Sequence, residues 1–224
     1  MASQNPDVPI RDAATVILVR DPETNPSVLM GQRGKTAAFM PDKFVFPGGA
    51  VDVADADVAL PANLSDICQE RLAARNSGAS SNALVTAAIR ELWEETGLRL
   101  GRDMAWNPAA GWENFGRAGI APDPSALSFF CRAITPPGRP RRFDARFFIA
   151  DAAAIWDDVD DFCAAEDELS HLHWAPLTEV RKLNLPFITR VVLAELQAHL
   201  PSTSAPDRVP FIRNDAIDSE VIWL

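Results

Sequence analysis

The sequence predicts a mixed protein of the α/β (α+β) kind, with α/β/α layers around a mixed sheet, and three observations lead there. AATVILVR, SVLMGQR, ALSFFCRAIT and RRFDARFFIA are apolar or β-branched runs of strand length. ALVTAAIRELWEETG and PFITRVVLAELQAHL repeat their apolar residues with the helical period instead. The two kinds of segment mingle without regular βαβ alternation and without an internal repeat.

The elements follow in order. AATVILVR (13–20) and SVLMGQR (27–33) flank the turn-rich DPETNP and should pair antiparallel. KFVF is a short third strand that runs into Pro47, Gly48 and Gly49. Proline holds its predecessor extended and a glycine pair permits backbone shapes that other residues resist, so FVFPGG is either a tight turn or a place where the backbone approaches a phosphate or metal ion. From 51 to 81 the chain becomes rich in Ala and Asp, with a helix expected near 65–75 and a loop at NSGASSN. Asn82 is the expected cap of the next helix and Gly97 its stop. ALSFFCRAIT and RRFDARFFIA should form two strands around PPGRP, and HLHWAPL another that leads into a helix. PFITRVVLAELQAHL is the last amphipathic helix, with Pro186 tolerated in its first turn. A single domain over 1–224 is expected, with an insertion at about 51–81 and a C-terminal helical extension at about 186–224.

With 224 residues, 47% hydrophobic and 23% charged, the chain can bury a sizeable core. Its formal charge of −10 works against general nucleic-acid binding and against anionic membranes. A phosphate-bearing ligand would need local positive charge or a bound cation. Cys68, Cys131 and Cys163 lie far apart and form no CxxC pair, so neither a disulfide framework nor a thiolate zinc site is suggested, and a reducing cytoplasm fits. The N-terminus has no basic segment followed by an apolar stretch, and no run approaches membrane-spanning length; export and membrane insertion are not expected.

The helix ALVTAAIRELWEETG carries the chemistry. At 100° per residue Val85, Ala88, Ile89 and Leu92 share one apolar arc, while Glu91 and Glu95 lie along its edge with Glu94 beside them. Like charges so spaced repel, and here they crowd the C-terminal half of the helix, where the helix dipole disfavours negative charge. A solvated acidic face is the plain explanation; a divalent cation would relieve both penalties. Oxygen ligands without histidine or thiolate favour Mg²⁺ or Mn²⁺.

The glycine turn and the helix segment RELWEETGL (90–98) together resemble the Nudix hydrolase family, whose signature ends in Arg-Glu-apolar-x-Glu-Glu-x-Gly-apolar. The resemblance implies an α/β/α sandwich with a helical insertion in the motif and a C-terminal helix. It also implies a magnesium-dependent hydrolase that cleaves a diphosphate linked to another moiety. The first half of the signature departs: Asn76 and Asn82 stand where the family has a glycine and a glutamate. Gly49 lies much further upstream, which implies an insertion, and Asp55, six residues after Gly49, either replaces the missing glutamate or leaves that role vacant. The interrupted signature, with GQRGKTAAFMPDKFVFPGGAVDVAD and ITPPGRPRRFDARFFIA, is similar to the branch that includes peroxisomal coenzyme A diphosphatases. The C-terminal Val221-Ile222-Trp223-Leu224 does not match a peroxisomal address of the Ser-Lys-Leu type, and a cytoplasmic location is expected.

The resemblance assigns Glu91, Glu94 and Glu95, with the Gly48 carbonyl, to the cation, and Gly49 to the close approach of the diphosphate. Arg90 would orient the glutamates. Glu168 is the chosen general base among Glu166, Asp167 and Glu168, although a solvated acidic loop explains it nearly as well. Arg33, Arg141 and Arg142 are candidate phosphate or nucleotide contacts, since guanidinium donors match phosphate oxygens in pairs; salt bridges to Asp144 or Asp52 would serve equally. His171 and His173 would share one strand face, without a third zinc ligand nearby, and read as ordinary strand residues. Trp106, Trp112 and Trp174 suit core packing or base stacking. The expected partner is a small nucleotide-type diphosphate, and the sequence leaves room for a homodimer. A non-catalytic nucleotide sensor of the same fold is the rival reading. An isomerase acting on an isoprenoid diphosphate is disfavoured, because no cysteine sits in a suitable context.

Overall fold

A computed structural model describes residues 8–35, 37, 39–117, 119–214 and 219–224. The β-branched run forms β1 (Ile10–Arg20) and turns at Asp21 into β2 (Ser27–Arg33). These strands pair antiparallel, but only at one end, at Val19↔Val28 and Arg20↔Ser27. Beyond it they diverge, and the stretch from Phe44 to Ala50 fills the opening. There β3 (Phe44–Val45) pairs with β2, and β4 (Gly48–Ala50) pairs with β1 at Ala14↔Gly49 and Thr15↔Gly48. Pro47, which cannot donate, accepts from Val16 N at 2.9 Å between the two. The glycine turn is therefore itself a sheet strand.

The insertion is helical as expected. A single 3₁₀ turn, Val53–Asp57, precedes α1 (Asp66–Ala73), whose Cys68 and Leu72 are buried. α2 (Ser81–Thr96) follows. Its cap is Ser80, whose hydroxyl accepts from Ala83 N at 3.2 Å, and not Asn82; Asn82 lies inside the first turn and donates to Val58 O at 3.1 Å, tying the helix to the insertion. Gly97 ends α2 at φ 77, in the left-handed conformation glycine favours.

Next come β5 (Gly101–Asp103), α3 (Glu113–Gly116) and β6 (Ile120–Pro122); β5 and β6 form a separate two-stranded sheet. β7 (Ser128–Ile134) and β8 (Arg142–Asp151) are the expected antiparallel pair. β8 also runs parallel to β1 from Ile10↔Arg142 to Val19↔Asp151, which explains why β1 is apolar on both faces. β9 (Leu169–Pro176) pairs with the other side of β2 and leads through a 3₁₀ turn to α4 (Phe187–His199).

The extension expected to be helical from 186 to 224 is helical only through His199. Pro201, Pro206 and Pro210 break the period, and the chain returns as β10 (Pro210–Asn214) and β11 (Ser219–Trp223), which pair antiparallel at the far edge of the sheet. Short alternating segments of this size carry little strand signal of their own. The main sheet runs β11-β10-β7-β8-β1-β2-β3, with β4 on β1 and β9 on β2. One core, with Val16, Leu18, Leu29, Phe129 and Phe148, lies under α1 and α2; the other, with Ile17, Val19, Met30, Phe147 and Ile149, lies under α4. This is the α/β/α layering expected.

Candidate functional site

α2 lays Val85, Ala88, Ile89 and Leu92 on the sheet, all buried, which fixes its rotation and turns Glu91 and Glu95 toward β4. Glu95 is only 3% exposed, and its Oε2 accepts from Gly48 N at 2.7 Å. Gly48 has φ 154, a conformation closed to other residues, and a Cβ there would lie 2.5 Å from Ala14 O. A Cβ on Gly49 would lie 2.5 Å from the Glu91 carboxyl carbon. The glycine pair therefore lets backbone and carboxylates come together, which joins the two halves of the motif.

Arg90 organises the cluster. Its Nε and Nη2 donate to the two oxygens of Asp55 at 2.9 and 3.0 Å, and Nη2 also donates to Ala50 O at 3.0 Å. Its Nη1 donates to Glu91 Oε1 at 2.9 Å and Glu94 Oε2 at 2.8 Å. Asp55 is 1% exposed and also accepts from Asp52 N at 2.8 Å. Asp55, for which the sequence left open whether it replaces the missing motif glutamate, thus holds the arginine that orients Glu91 and Glu94. Asn76 and Asn82 serve the fold instead: Asn76 accepts from the fully buried Arg146 at 2.8 Å, and Asn82 ties to Val58.

Electrostatics follow from this crowding. Burial pushes the Glu91 carboxyl up to about 7, against the pull of Arg90, and burial likewise raises Glu94. Burial holds Glu95 well above the usual carboxylate range; the Gly48 hydrogen bond opposes this, and Glu91 and Glu168 add to it. Burial disfavours the Arg90 charge, but the Asp55 hydrogen bond and the surrounding carboxylates outweigh it and raise its pKa.

The cluster suits a hard divalent cation in its donor chemistry. Among the described residues no protein hydrogen bond reaches Glu91 Oε2, Glu94 Oε1 or Glu95 Oε1, so each glutamate keeps one oxygen for a ligand. Burial raises the proton affinity of all three carboxyls, and a bound cation would favour their ionised forms instead. Among the described residues no three acidic, histidine or cysteine side chains stand ready-formed around a common point, since the Arg90 guanidinium sits between Glu91 and Glu94.

Of the other sequence candidates, Glu168 and Arg33 lie beside the cluster and bind each other at 2.8 Å. Arg142 does not join them. It stands opposite Ile10, four residues along β1 from Ala14, which is roughly 13 Å at the usual rise, and its Nε donates to Thr135 O at 3.0 Å. Hairpin closure explains its position. His173 Nδ1 donates to the His171 carbonyl at 2.8 Å, and His171 Nδ1 lies 3.1 Å from Ser170 Oγ. Trp106 and Trp112 pack with Trp93 and Phe115 in an aromatic group, while Trp174 lies under Arg20 with its Nε1 on Val159 O. Sequence reasoning did not find the backbone of Glu166, whose N donates to Glu94 O at 2.8 Å and seats the acidic loop on the end of α2; a main-chain contact leaves no residue signature.

No family model matches the chain. A Caenorhabditis elegans protein bearing the name nudix hydrolase 7 is 30% identical over an alignment of 178 positions that covers 73% of this chain and 50% of that protein. The chain thus spans about half the length of the curated relative it matches. A crystal structure of a NUDIX hydrolase from Alicyclobacillus acidocaldarius superposes with a TM-score of 0.61 at 28% identity, covering 86% of this chain and 93% of that one. Shared sequence, shared fold and the Arg90–Glu95 cluster beneath a glycine turn agree, and the chain belongs to the Nudix hydrolase family. Similarity to the coenzyme A diphosphatase branch is not established by either match.

Proposed function

We propose that the chain is a Mg²⁺- or Mn²⁺-dependent hydrolase that cleaves the diphosphate linkage of a nucleoside diphosphate joined to another moiety, with coenzyme A or a related nucleotide derivative as a candidate substrate. One observation carries this reading: Arg90, anchored by Asp55, aligns Glu91 and Glu94 while Gly48 N holds Glu95, and each of the three keeps an oxygen free beside the glycine turn.

Glu91, Glu94 and Glu95 would hold the cation, with the Gly48 carbonyl as a further donor. When bound, the cation supplies charge neutralisation and Lewis acidity toward a water molecule. The bare backbone of Gly49 lets the Glu91 carboxylate sit against the turn where the diphosphate would approach, and Arg33 offers donors to a phosphate oxygen. Glu168 is the base that takes the proton from the attacking water. The water oxygen bonds to phosphorus, and the bridging oxygen leaves with the other phosphate.

The test is hydrolysis of a panel containing coenzyme A, a nucleotide sugar, a dinucleotide and a capped RNA end, with Mg²⁺, Mn²⁺ or excess chelator. Cleavage of at least one member only with the cation is expected. Undiminished activity in chelator would sink the metal assignment, and tight binding of a member without cleavage of any would favour a sensor.

A further inference from the structure

Beside the carboxylate cluster, Arg33 is already engaged. Its Nη2 donates to Glu168 Oε1 at 2.8 Å through one oxygen only, while its Nε is buried with no hydrogen-bond partner. Contacts independent of this pair hold the segments that carry both residues. Arg33 N donates to Lys43 O at 2.9 Å, and Arg33 stands opposite Leu169 in the β2–β9 register. Glu166 N donates to Glu94 O at 2.8 Å, and the acidic loop before it is fastened by Arg99 to Asp157 and by Arg20 to Asp160. The backbones are set, and the side-chain torsions are what can change.

The pairing is a poor match for the donors it uses. A guanidinium presents a fork that a carboxylate or phosphate can fill with two parallel bonds, and a buried donor left unmet is destabilising. Glu168 fills one prong and leaves Nε unmet. A phosphate group of a bound diphosphate could fill both.

Resting on the diphosphate reading above, we propose that the Arg33–Glu168 pair is a clasp opened by the substrate. Arg33 passes from Glu168 to a phosphate group, and Glu168 is released as a free carboxylate beside the cluster only when substrate is bound. No covalent bond changes. Glu168 therefore opposes binding while serving turnover, which is the opposite sign from a residue that merely shapes the pocket.

Calorimetric titration with methylenediphosphonate in Mg²⁺, a P–C–P analogue that water cannot cleave, tests this on wild type, Glu168→Gln, Arg33→Gln and the double variant. Glu168→Gln should bind about three- to fivefold tighter, the scale of a partly exposed ion pair. Arg33→Gln should bind about tenfold weaker or worse, and Arg33→Lys, which keeps the charge without the fork, should recover part of the loss. In the Arg33→Gln background the Glu168 substitution should have no effect, since the cycle isolates their coupling. Equal tightening in both backgrounds would mean simple charge repulsion and would overturn the clasp, as would no tightening at all. With a cleaved substrate, Glu168→Gln should lower KM and kcat together; an unchanged KM also counts against it. Failure of wild type to bind the analogue would instead overturn the diphosphate reading, and the clasp with it.

Discussion

A methyl group added at Gly49 would meet the far end of Glu91, a flexible side chain that can swing away. Gly49→Ala should therefore cost little stability but displace a cation ligand, so activity and Mg²⁺ affinity should fall while the melting temperature stays near wild type; unchanged activity would remove Gly49 from the site. Glu95→Gln keeps the shape and an oxygen able to accept from Gly48 N, yet removes the charge. The variant should fold and lose roughly 10²-fold or more in kcat, the scale for deleting a main electrostatic contributor, whereas Glu179→Gln, exposed and beyond β9, should leave the rate alone. Asp55 is held by both prongs of Arg90, and its removal strands a largely buried cation. Asp55→Ala should cost about 3 kcal/mol in a denaturant titration and depress activity as well, because Arg90 then ceases to align Glu91 and Glu94.

At the scale of an element, α2 joins the cluster to the acidic loop. Gly97 permits its left-handed end, and a Cβ there would lie 3.1 Å from Ala164 in that loop. Gly97→Ala should lower stability by about 1 kcal/mol or more. It should also lower kcat beyond any effect on folding, since Glu168 follows in the same loop; stability loss alone with wild-type kcat would uncouple loop from helix. The insertion does two jobs. Its start supplies Asp55, and its later part buries Leu64, Cys68 and Leu72 in the core under α2. Exchanging its exposed residues between Pro61 and Gly78, rather than deleting it, should change relative kcat/KM across the diphosphate panel more than Mg²⁺ affinity. An unchanged ranking would confine the insertion to stability.

Over the whole molecule, net charge −10 and a buried acidic cluster make stability depend on pH and cation together. A carboxyl whose pKa rises on folding binds its proton more tightly in the native state. Its contribution is full below the unfolded value and is lost as pH climbs through the folded one. For Glu91 that window runs from 4.5 to about 7, and burial shifts Glu94 and Glu95 in the same direction. Asp160 and Asp161 are shifted downward and titrate below this range. In chelator, the melting temperature should therefore fall as pH rises from 4.5 through about 7. Added Mg²⁺ should raise it most at the upper end, where the cation binds the ionised cluster, and Glu91→Gln should flatten the profile. A melting temperature rising with pH in chelator would contradict the cluster's electrostatics.

The sequence by itself determined what is local and periodic. Strand runs, the α2 pattern from Ala83 to Thr96, the Gly97 stop and the arc bearing Glu91, Glu94 and Glu95 depend on spacing alone, and spacing is legible in one dimension. Boundaries that depend on a single hydrogen bond were less so: a serine at position 80 and an asparagine at 82 are both good caps, and only the packed insertion decided between them by claiming Asn82 for Val58. Strands such as β10 and β11 were illegible because a short segment becomes a strand only when an edge is there to receive it. The tertiary structure alone decided that Asp55 meets Arg90 across the whole insertion, that Arg33 meets Glu168 and that Arg142 joins neither. Which charges become neighbours is fixed by how β1 and β2 splay to admit the glycine turn, a long-range packing outcome that residue types do not encode one at a time.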